Sequence, residues 1–339
     1  MLNFLEAENG FIDLAQKPGT GLSEQWTLLP NQVKLRLLDT GVLEVKGAQA
    51  SEKDYVISCG VHGNETAPIE IVSRLINQIV TGNLEPKVNL LFILGHPVAM
   101  AAGERFISIN MNRLFAGAHK NYPRSQENQY ELTRAARLET LVEDFFSSRP
   151  QNRKIHFDLH TAIKPSYHKT FAIRPFTQTG ISNDSRKLLL AMGIEAVLQH
   201  NKPSTTFSYY SVERFAAEAY TLELGKVKKF GENNPQDFRS AIDSLEAIIE
   251  NRALKPTDPR ELVEYKVVAE IVRHSDEFKF YVADDIPNFT AFPQGSLIAE
   301  DVDFNYRVAH QEESVVFPNT KVPNGQRVAV MVTRSDPER

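Results

Sequence analysis

Cysteine is nearly absent from this chain of 339 residues, which contains only Cys59. A single cysteine excludes a disulfide within the chain and favours a reducing, cytoplasmic compartment. Long apolar runs are absent too, because no window approaches the roughly 18 consecutive apolar residues of a transmembrane helix. Residues 1–10 also lack the basic and apolar regions of a secretory signal. The sequence therefore predicts a cytoplasmic protein with no membrane partner.

An excess of basic residues is also missing. The chain has 38 Lys and Arg against 43 Asp and Glu, a net charge of −5, which argues against a nucleic-acid partner. No Gly-rich loop of the kind that cradles phosphates is present, which gives a nucleotide-binding or carbohydrate-binding module little support. The length suggests about two domains of roughly 150 residues each.

Strand and helix patterns alternate from about residue 30 to residue 254. Apolar runs at 54–59 and 88–94 stop at Gly and are typical of buried strands, whereas 130–147 is an amphipathic helix. Thr66 is positioned to cap the helix that follows it. The alternation predicts an α/β domain over residues 1–262, with a mixed, mostly parallel sheet flanked by helices. Ligands of such sheets gather beyond the carboxyl ends of the strands.

The pattern changes after residues 255–259, which read Lys-Pro-Thr-Asp-Pro. No convincing helix follows, and turn clusters separate short runs of period two. Those runs lie at 267–272, 278–282, 308–310 and 328–332. Residues 263–339 are therefore predicted to form a smaller, all-β C-terminal domain.

Two histidines and a glutamate stand at predicted strand ends. The segment Gly60-Val-His62-Gly-Asn-Glu65 lies between a strand and a helix, and Phe157-Asp-Leu-His160 closes another strand. A catalytic zinc needs three protein ligands and an open position for water, and His62, Glu65 and His160 can supply such a set. A histidine is more often a surface or satisfied core residue. We interpret His96 as structural and give that ordinary interpretation to His119, His156, His168, His200, His274 and His310.

Two further carboxylates lie in predicted strands. Asp158 shares a strand face with His160, so it either hydrogen-bonds a ligand imidazole or is a buried structural carboxylate. Glu223 interrupts the apolar run Tyr220-Thr-Leu-Glu223-Leu, where an unpaired carboxylate is costly. It is either a general base or an ion-paired residue at a strand end, with Lys226 as the nearest partner. Sequence spacing alone favours neither alternative at either position.

Arginine residues suited to an anionic substrate occur in the segment 103–115. Arg105 and Arg113 can bind carboxylates with two hydrogen bonds each, and Asn112 precedes Arg113. The alternative is that both are solvated surface charges.

Four motifs occur in a familiar order: His-Gly-Asn-Glu, Asn-Arg-Leu-Phe, Asp-Leu-His-Thr and Glu-Leu-Gly. Together they resemble the succinylglutamate desuccinylase and aspartoacylase family, within the zinc carboxypeptidase-like group. The likeness covers residues from about 55 to 230, and the β-rich tail matches the family's two-domain plan. The segments 203–211 and 224–231 resemble the desuccinylase branch. Lys226 stands where aspartoacylase-like members tend to carry Pro, which argues against aspartoacylase activity.

The resemblance implies one zinc ion per subunit, held by His62, Glu65 and His160, with Glu223 as the catalytic base. It implies that Arg105, Asn112 and Arg113 bind the substrate. The implied reaction is hydrolysis of N-succinyl-L-glutamate, the last step of arginine breakdown through succinylated intermediates. Alternatives are a deacylase of another small anionic N-acyl amino acid and a non-catalytic zinc-binding regulatory protein. The sequence leaves open whether the chain forms a homo-oligomer.

Overall fold

The structure is a computed structural model that describes residues 9–17, 25–255, 261–283 and 285–335. The predictions for residues 1–8 and 336–339, and for most of the boundary segment at 255–259, lie outside these ranges. No helix in the described ranges is long and apolar enough to cross a membrane.

The described residues form seven α-helices and sixteen strands. The helices are α1 (Gly10–Ala15), α2 (Thr66–Val80), α3 (Pro97–Ala102), α4 (Gln129–Ser147), α5 (Asn183–Ala191), α6 (Phe207–Phe215) and α7 (Arg239–Ile249). The strands up to the C-terminal region are β1 (Thr27–Leu28), β2 (Lys34–Asp39), β3 (Val42–Lys46), β4 (Lys53–Cys59), β5 (Asn89–Leu94), β6 (Arg153–Ala162), β7 (Phe171–Arg174), β8 (Ala196–Gln199) and β9 (Glu218–Lys226). The remaining strands are β10 (Val263–Val272), β11 (Lys279–Phe280), β12 (Thr290–Pro293), β13 (Leu297–Asp301), β14 (Phe304–Arg307), β15 (Glu312–Val316) and β16 (Arg327–Arg334).

A mixed sheet runs through the molecule in the order β1-β2-β3-β5-β4-β6-β9-β7-β8-β10-β16-β15-β12. Its centre is parallel, because β4 pairs in parallel with both β5 and β6, and β6 pairs in parallel with β9. The carboxyl ends of these central strands therefore lie at one edge of the sheet. The predicted α/β fold, with helices flanking a mixed sheet, is confirmed.

Helices cover both faces of the sheet because each carries an apolar stripe. In α2, Ile69, Val72 and Leu75 are fully buried against the strands, together with residues of α7 such as Leu245. The opposite face is covered by α4 and α6, whose Leu138 and Phe207 are buried in a second core. Burying each such side chain stabilises the folded state by about 1.5–3 kcal/mol relative to leaving it exposed.

The prediction that Thr66 caps α2 is wrong. Thr66 is the first residue of the helix, and Glu65 occupies the preceding cap position without a side-chain capping bond. The Thr66 hydroxyl instead donates to the carbonyl of Lys228 at 2.8 Å. The side chain of Glu65 is thus directed to other partners, which are described below.

The C-terminal strands extend the main sheet. Strand β10 pairs in parallel with β8 and antiparallel with β16, while β11, β13 and β14 form a separate three-stranded sheet. The run at 308–310 is not a strand, and only 279–280 of the run at 278–282 is extended in a sheet. Described residues after 263 contain no helix, in agreement with the predicted smaller β region.

Candidate active site

The loop after β4 carries the first two candidate ligands, His62 and Glu65. Residue 63, between them, is a glycine that lies very close to α3. A Cβ atom at Gly63 would lie 2.3 Å from the carbonyl carbon of Ala99 and 2.3 Å from the amide nitrogen of Met100. Contacts that short are essentially never found between real atoms, so the loop packs against α3 only with glycine at this position.

Glu65 lies between two imidazoles. Its Oε1 atom is 2.8 Å from His62 Nδ1, and its Oε2 atom is 2.9 Å from His160 Nδ1. One potential ligand atom from each of the three residues lies within 4.8 Å of the others, and all three side chains are buried. The structure therefore brings His62, Glu65 and His160 together, although they are separated by up to 98 positions in sequence.

The second nitrogen of each imidazole has its own acceptor. His62 Nε2 lies 3.0 Å from Asn110 Oδ1, and His160 Nε2 lies 2.9 Å from Asp158 Oδ2. In the tautomer that donates from each Nε2 to these acceptors, both Nδ1 lone pairs face Glu65, where a metal ion would be held. Two imidazoles oriented by outer partners, with one carboxylate, are the donor set of a catalytic zinc site. The residues present thus fit a zinc ion.

Electrostatics differ between the two imidazoles. Burial, with the nearby charge of Arg105, lowers the pKa of His62 to about 4. Burial also acts to lower the pKa of His160, but the carboxylates of Asp158 and Glu65 outweigh it and raise that pKa well above its usual value. A metal ion binds only the neutral imidazole, so its binding would displace a proton from His160.

Asp158 lies in a buried hydrogen-bond chain beneath His160. Its Oδ1 atom accepts from Ser58 Oγ at 2.6 Å. Ser58 Oγ is also 2.9 Å from His156 Nε2, and His156 Nδ1 is 2.8 Å from Ser211 Oγ. Strand register explains the arrangement, because Ser58 and Asp158 are directly paired across β4 and β6. Asp158 therefore contacts the imidazole of His160, and His156 is a satisfied core residue.

Glu223 stands beside His160 on the adjacent strand β9, where the two residues are directly paired. Its side chain is buried, and its Oε2 atom has no hydrogen-bond partner in the described part of the chain. Burial, and then the negative charge of Glu65, raise the pKa of Glu223 to about 7. Within the described ranges it forms no ion pair with Lys226, which is exposed. The arrangement presents a carboxylate that can accept and release a proton near neutral pH.

The three predicted substrate-binding residues lie around the same group. Arg105 Nη1 donates to Glu65 Oε1 at 2.6 Å. Asn112 Nδ2 is 3.5 Å from His160 Nε2, and Asn112 Oδ1 accepts from the backbone amide of Phe207 at 2.9 Å. Arg113 donates through Nη1 to the carbonyl of Asn112 at 2.7 Å. Its remaining guanidinium nitrogens carry no ion pair to any described carboxylate.

The sequence patterns did not predict two of the contacts at the site. Asn110 accepts from His62, and the backbone amide of Thr161 donates to Glu65 Oε2 at 3.0 Å. Asn110 stands two positions before Asn112 in Asn-Met-Asn-Arg, which is the one signal that could have drawn attention to it. A backbone donor such as Thr161 leaves no signal in residue type.

Two family models together match most of the chain. The succinylglutamate desuccinylase/aspartoacylase catalytic domain matches residues 51–249, which include every candidate site residue. The AstE/AspA barrel-sandwich hybrid domain matches residues 260–335. The chain belongs to the succinylglutamate desuccinylase/aspartoacylase family.

Curated members of this family align over nearly the full length. A succinylglutamate desuccinylase of Shewanella frigidimarina is 42% identical, with 89% of each chain covered. One of Idiomarina loihiensis is 41% identical, covering 96% of this chain and 95% of its own. The expectation of a hydrolase of this family is confirmed.

Solved structures of related proteins are also similar to this chain. The succinylglutamate desuccinylase of Vibrio parahaemolyticus superposes with a TM-score of 0.87 at 36% identity, covering 96% of this chain and 95% of that one. Murine aminoacylase 3 shares the fold alone, with a TM-score of 0.58 at 16% identity over 85% of this chain and 97% of that one. The expected zinc carboxypeptidase-like fold is thus confirmed.

Proposed function

We propose that this protein is a zinc-dependent amidohydrolase that converts N-succinyl-L-glutamate and water to succinate and L-glutamate. The observation that carries the proposal is the buried His62–Glu65–His160 group together with Glu223 on the neighbouring strand, whose buried Oε2 atom has no hydrogen-bond partner among the described residues. The names of the relatives that are about 40% identical support the substrate. The reaction would complete arginine breakdown through succinylated intermediates.

His62, Glu65 and His160 would hold one zinc ion per subunit, through the Nδ1 atoms and the carboxylate. A zinc ion at such a site acts as a Lewis acid that lowers the pKa of water and polarises a carbonyl oxygen. Asn110 and Asp158 hold the imidazoles in the required orientation from behind. These outer partners matter because a rotated imidazole would no longer direct its Nδ1 lone pair at the metal.

Glu223 would move the proton. Its free carboxylate accepts a proton from the attacking water as the oxygen of that water bonds to the amide carbon of the succinyl group. The same proton is then delivered to the glutamate nitrogen as the C–N bond breaks, so that Glu223 is regenerated. A pKa close to neutral, which burial produces, suits a group that must both accept and donate a proton. The guanidinium of Arg105 would stabilise the negative charge that develops on the amide oxygen.

Asn112 and Arg113 would hold a carboxylate of the substrate. N-succinyl-L-glutamate carries three carboxylates, so a cleft that accepts it needs several cationic groups. The guanidinium of Arg113, which forms no ion pair with any carboxylate in the described part of the chain, is suited to bind a carboxylate with two hydrogen bonds. Lys228 is less available for this purpose, because it lies 3.3 Å from Asp237.

We further propose that residues 1–262 form the catalytic domain and that residues 263–339 form a β-rich C-terminal domain. Support comes from the two family models, since the first match ends at residue 249 and the second begins at residue 260, close to this boundary. The partner would be a small anionic N-acyl amino acid, with no nucleic-acid or membrane partner. A cytoplasmic location agrees with the lone, buried Cys59.

Paired variants test the site. Glu223→Gln should keep its zinc content and lose roughly 10²–10⁴-fold in kcat, the size of a general acid–base contribution. The matched control is Glu232→Gln, at an exposed position, which should keep both its zinc content and its kcat. Near-normal turnover by Glu223→Gln would contradict its assignment as the base.

The metal assignment has its own test. His160→Ala should lose most bound zinc, measured by atomic absorption after dialysis, whereas the exposed His274→Ala should not. Unchanged metal content in His160→Ala would remove this residue from the ligand set. Zinc-dependent hydrolysis of another N-acyl amino acid in place of N-succinyl-L-glutamate would support the assignment of the site and contradict the assignment of the substrate.

A further inference from the structure

The loop at residues 103–110, which follows α3, carries two of the contacts to the candidate metal ligands. Arg105 donates to Glu65 Oε1 at 2.6 Å, and Asn110 Oδ1 lies 3.0 Å from His62 Nε2. No residue of this loop is in a helix or a strand. The placement of both side chains therefore depends on the contacts that hold the loop to the rest of the protein.

The middle of loop 103–110 is held by one buried carboxylate on α4. Glu131 Oε1 accepts from the backbone amide of Ile107 at 3.1 Å and from that of Ser108 at 2.8 Å. The side chains of Phe106 and Ile107 are exposed, so burial of apolar groups does not hold this part of the loop. The two amides lie midway between the two side chains that reach the candidate ligands, so their position determines where both side chains begin.

Glu131 is also connected to helix α3, through His96. The His96 Nδ1 atom accepts from the backbone amide of Ala99 at 3.2 Å, so the proton is on Nε2, which donates to Glu131 Oε1 at 3.3 Å. Burial lowers the pKa of His96, in keeping with a neutral ring. Gly63 of the ligand loop packs against α3, and its backbone amide donates to the carbonyl of Arg105 at 3.1 Å. Glu131 is therefore connected to both elements that lie against the ligand loop.

Glu131 provides a charged acceptor at a place where burial makes a charge costly. It is fully buried, and its Oε2 atom has no hydrogen-bond partner among the described residues. Its position as the third residue of α4 offsets part of this cost, because the N-terminus of a helix favours negative charge. Hydrogen bonds to an ionised acceptor are roughly twice as strong as those between neutral groups. The carboxylate therefore holds loop 103–110 more firmly than a neutral side chain would.

We propose that Glu131 is a positioning residue, which holds loop 103–110 so that Arg105 and Asn110 reach the candidate metal ligands. Its hydrogen bonds go to the backbone of the loop and to His96, so it acts through these elements and not on the substrate. The inference deepens the proposed function, and it rests on that function for the roles of Arg105 and Asn110. Without the carboxylate, the loop loses the contact that fixes both side chains.

The first test compares Glu131→Met, which is similar in length but has no acceptor, with Glu131→Gln, which keeps an acceptor oxygen. At saturating zinc, we expect Glu131→Met to lower kcat for N-succinyl-L-glutamate about 100-fold, the usual cost of misplacing a group at the site by about 1 Å. Its zinc affinity should fall about tenfold. Glu131→Gln should recover most of both losses. The control is Glu127→Met, four positions earlier and exposed, which should change neither quantity. Wild-type kcat and zinc affinity in Glu131→Met would overturn the inference.

Double-mutant cycles separate positioning from a general structural role. If Glu131 acts on the zinc site through Asn110, then Glu131→Met should lower zinc affinity less than about twofold in an Asn110→Ala background, against about tenfold on its own. The second cycle measures kcat with Arg105→Ala, and in that background the loss caused by Glu131→Met should shrink from about 100-fold to less than about tenfold. Losses that multiply fully in both cycles would overturn the inference, because they would show that Glu131 acts only on the overall structure.

Amide hydrogen exchange in the metal-free protein tests the hold on the loop without zinc or substrate. We expect Glu131→Met to speed exchange in peptides that cover loop 103–110 at least about tenfold, with unchanged exchange in β4 and β6. Equal acceleration in those strands would contradict the inference, since it would show a loss of global stability. If thermal melting shows that Glu131→Met does not fold, Glu131→Asp replaces it. Its carboxylate is shorter by one methylene and is drawn back from both amides, so it should change the same quantities in the same direction.

These outcomes are distinguishable from a failure of the proposed function. Wild-type protein that does not hydrolyse N-succinyl-L-glutamate, together with faster loop exchange in Glu131→Met and a non-additive zinc cycle, would contradict the proposed substrate and keep Glu131 as a positioning residue. Wild-type protein that hydrolyses this substrate, with Glu131→Met unimpaired in kcat, zinc affinity and loop exchange, would keep the proposed function and overturn the inference.

Discussion

Asp158 holds His160 from behind: its Oδ2 atom lies 2.9 Å from His160 Nε2, on the side of the ring opposite Glu65. Ser58 in turn fixes the second oxygen of Asp158 at 2.6 Å. The orientation of a candidate metal ligand therefore depends on residues that are fully buried within the sheet.

Asp158→Asn tests this dependence. An amide can still contact the imidazole but no longer supplies a negative charge, so the ring is less firmly held and is a poorer ligand. We expect zinc affinity to fall about 10- to 100-fold, the usual effect of changing such an outer partner. Competition with a chromophoric chelator measures it. Asp276→Asn, an exposed carboxylate, is the control, and equal zinc affinity in the two variants would contradict the account.

Asn110→Ala tests the corresponding partner of His62. Removing the amide leaves His62 Nε2 without its acceptor at 3.0 Å, and the ring is then free to rotate away from Glu65. Zinc affinity should drop by about tenfold or more, with little change in thermal stability. The exposed Asn83→Ala provides the comparison. A variant that binds zinc as tightly as the wild type would show that the Asn110 contact does not orient the ligand.

Gly63→Ala tests the packing of the ligand loop. The added methyl would meet the backbone of Ala99 and Met100 at 2.3 Å, so either the loop or α3 must move. Overpacking of this kind costs about 1–3 kcal/mol in the free energy of unfolding, and moving the loop separates His62 from Glu65. Chemical denaturation and zinc content are the measurements. At Gly180 nothing lies within 4 Å of an added Cβ, so Gly180→Ala should be unaffected. Equal stability of the two variants would count against the crowding.

Much of the architecture is predictable because its signals are local. Short apolar runs that end at glycine predicted β4 and β5, and the amphipathic pattern over 130–147 predicted α4. The meeting of His62 with His160 was also predictable, since parallel strands place their carboxyl ends at one edge of the sheet.

Other features depend on pairing between distant segments, and the sequence does not encode such pairing locally. The pairing of β10 with β8 is such a feature, because the sequence of each strand indicates only that the strand is extended. Asn110 was missed for the same reason, because nothing in its spacing links it to His62. Thr66 has a favourable residue type for a helix cap, but its hydroxyl is taken by the carbonyl of Lys228.

The most direct test of the central claim is hydrolysis of N-succinyl-L-glutamate by protein stripped with a chelator and by the same protein after zinc is restored, with N-acetyl-L-aspartate as the comparison substrate. The account predicts that the stripped protein is inactive, and that zinc restores release of L-glutamate with little release of L-aspartate. Equal activity with and without zinc would contradict the metal centre. Tight zinc binding without release of glutamate would contradict the proposed substrate.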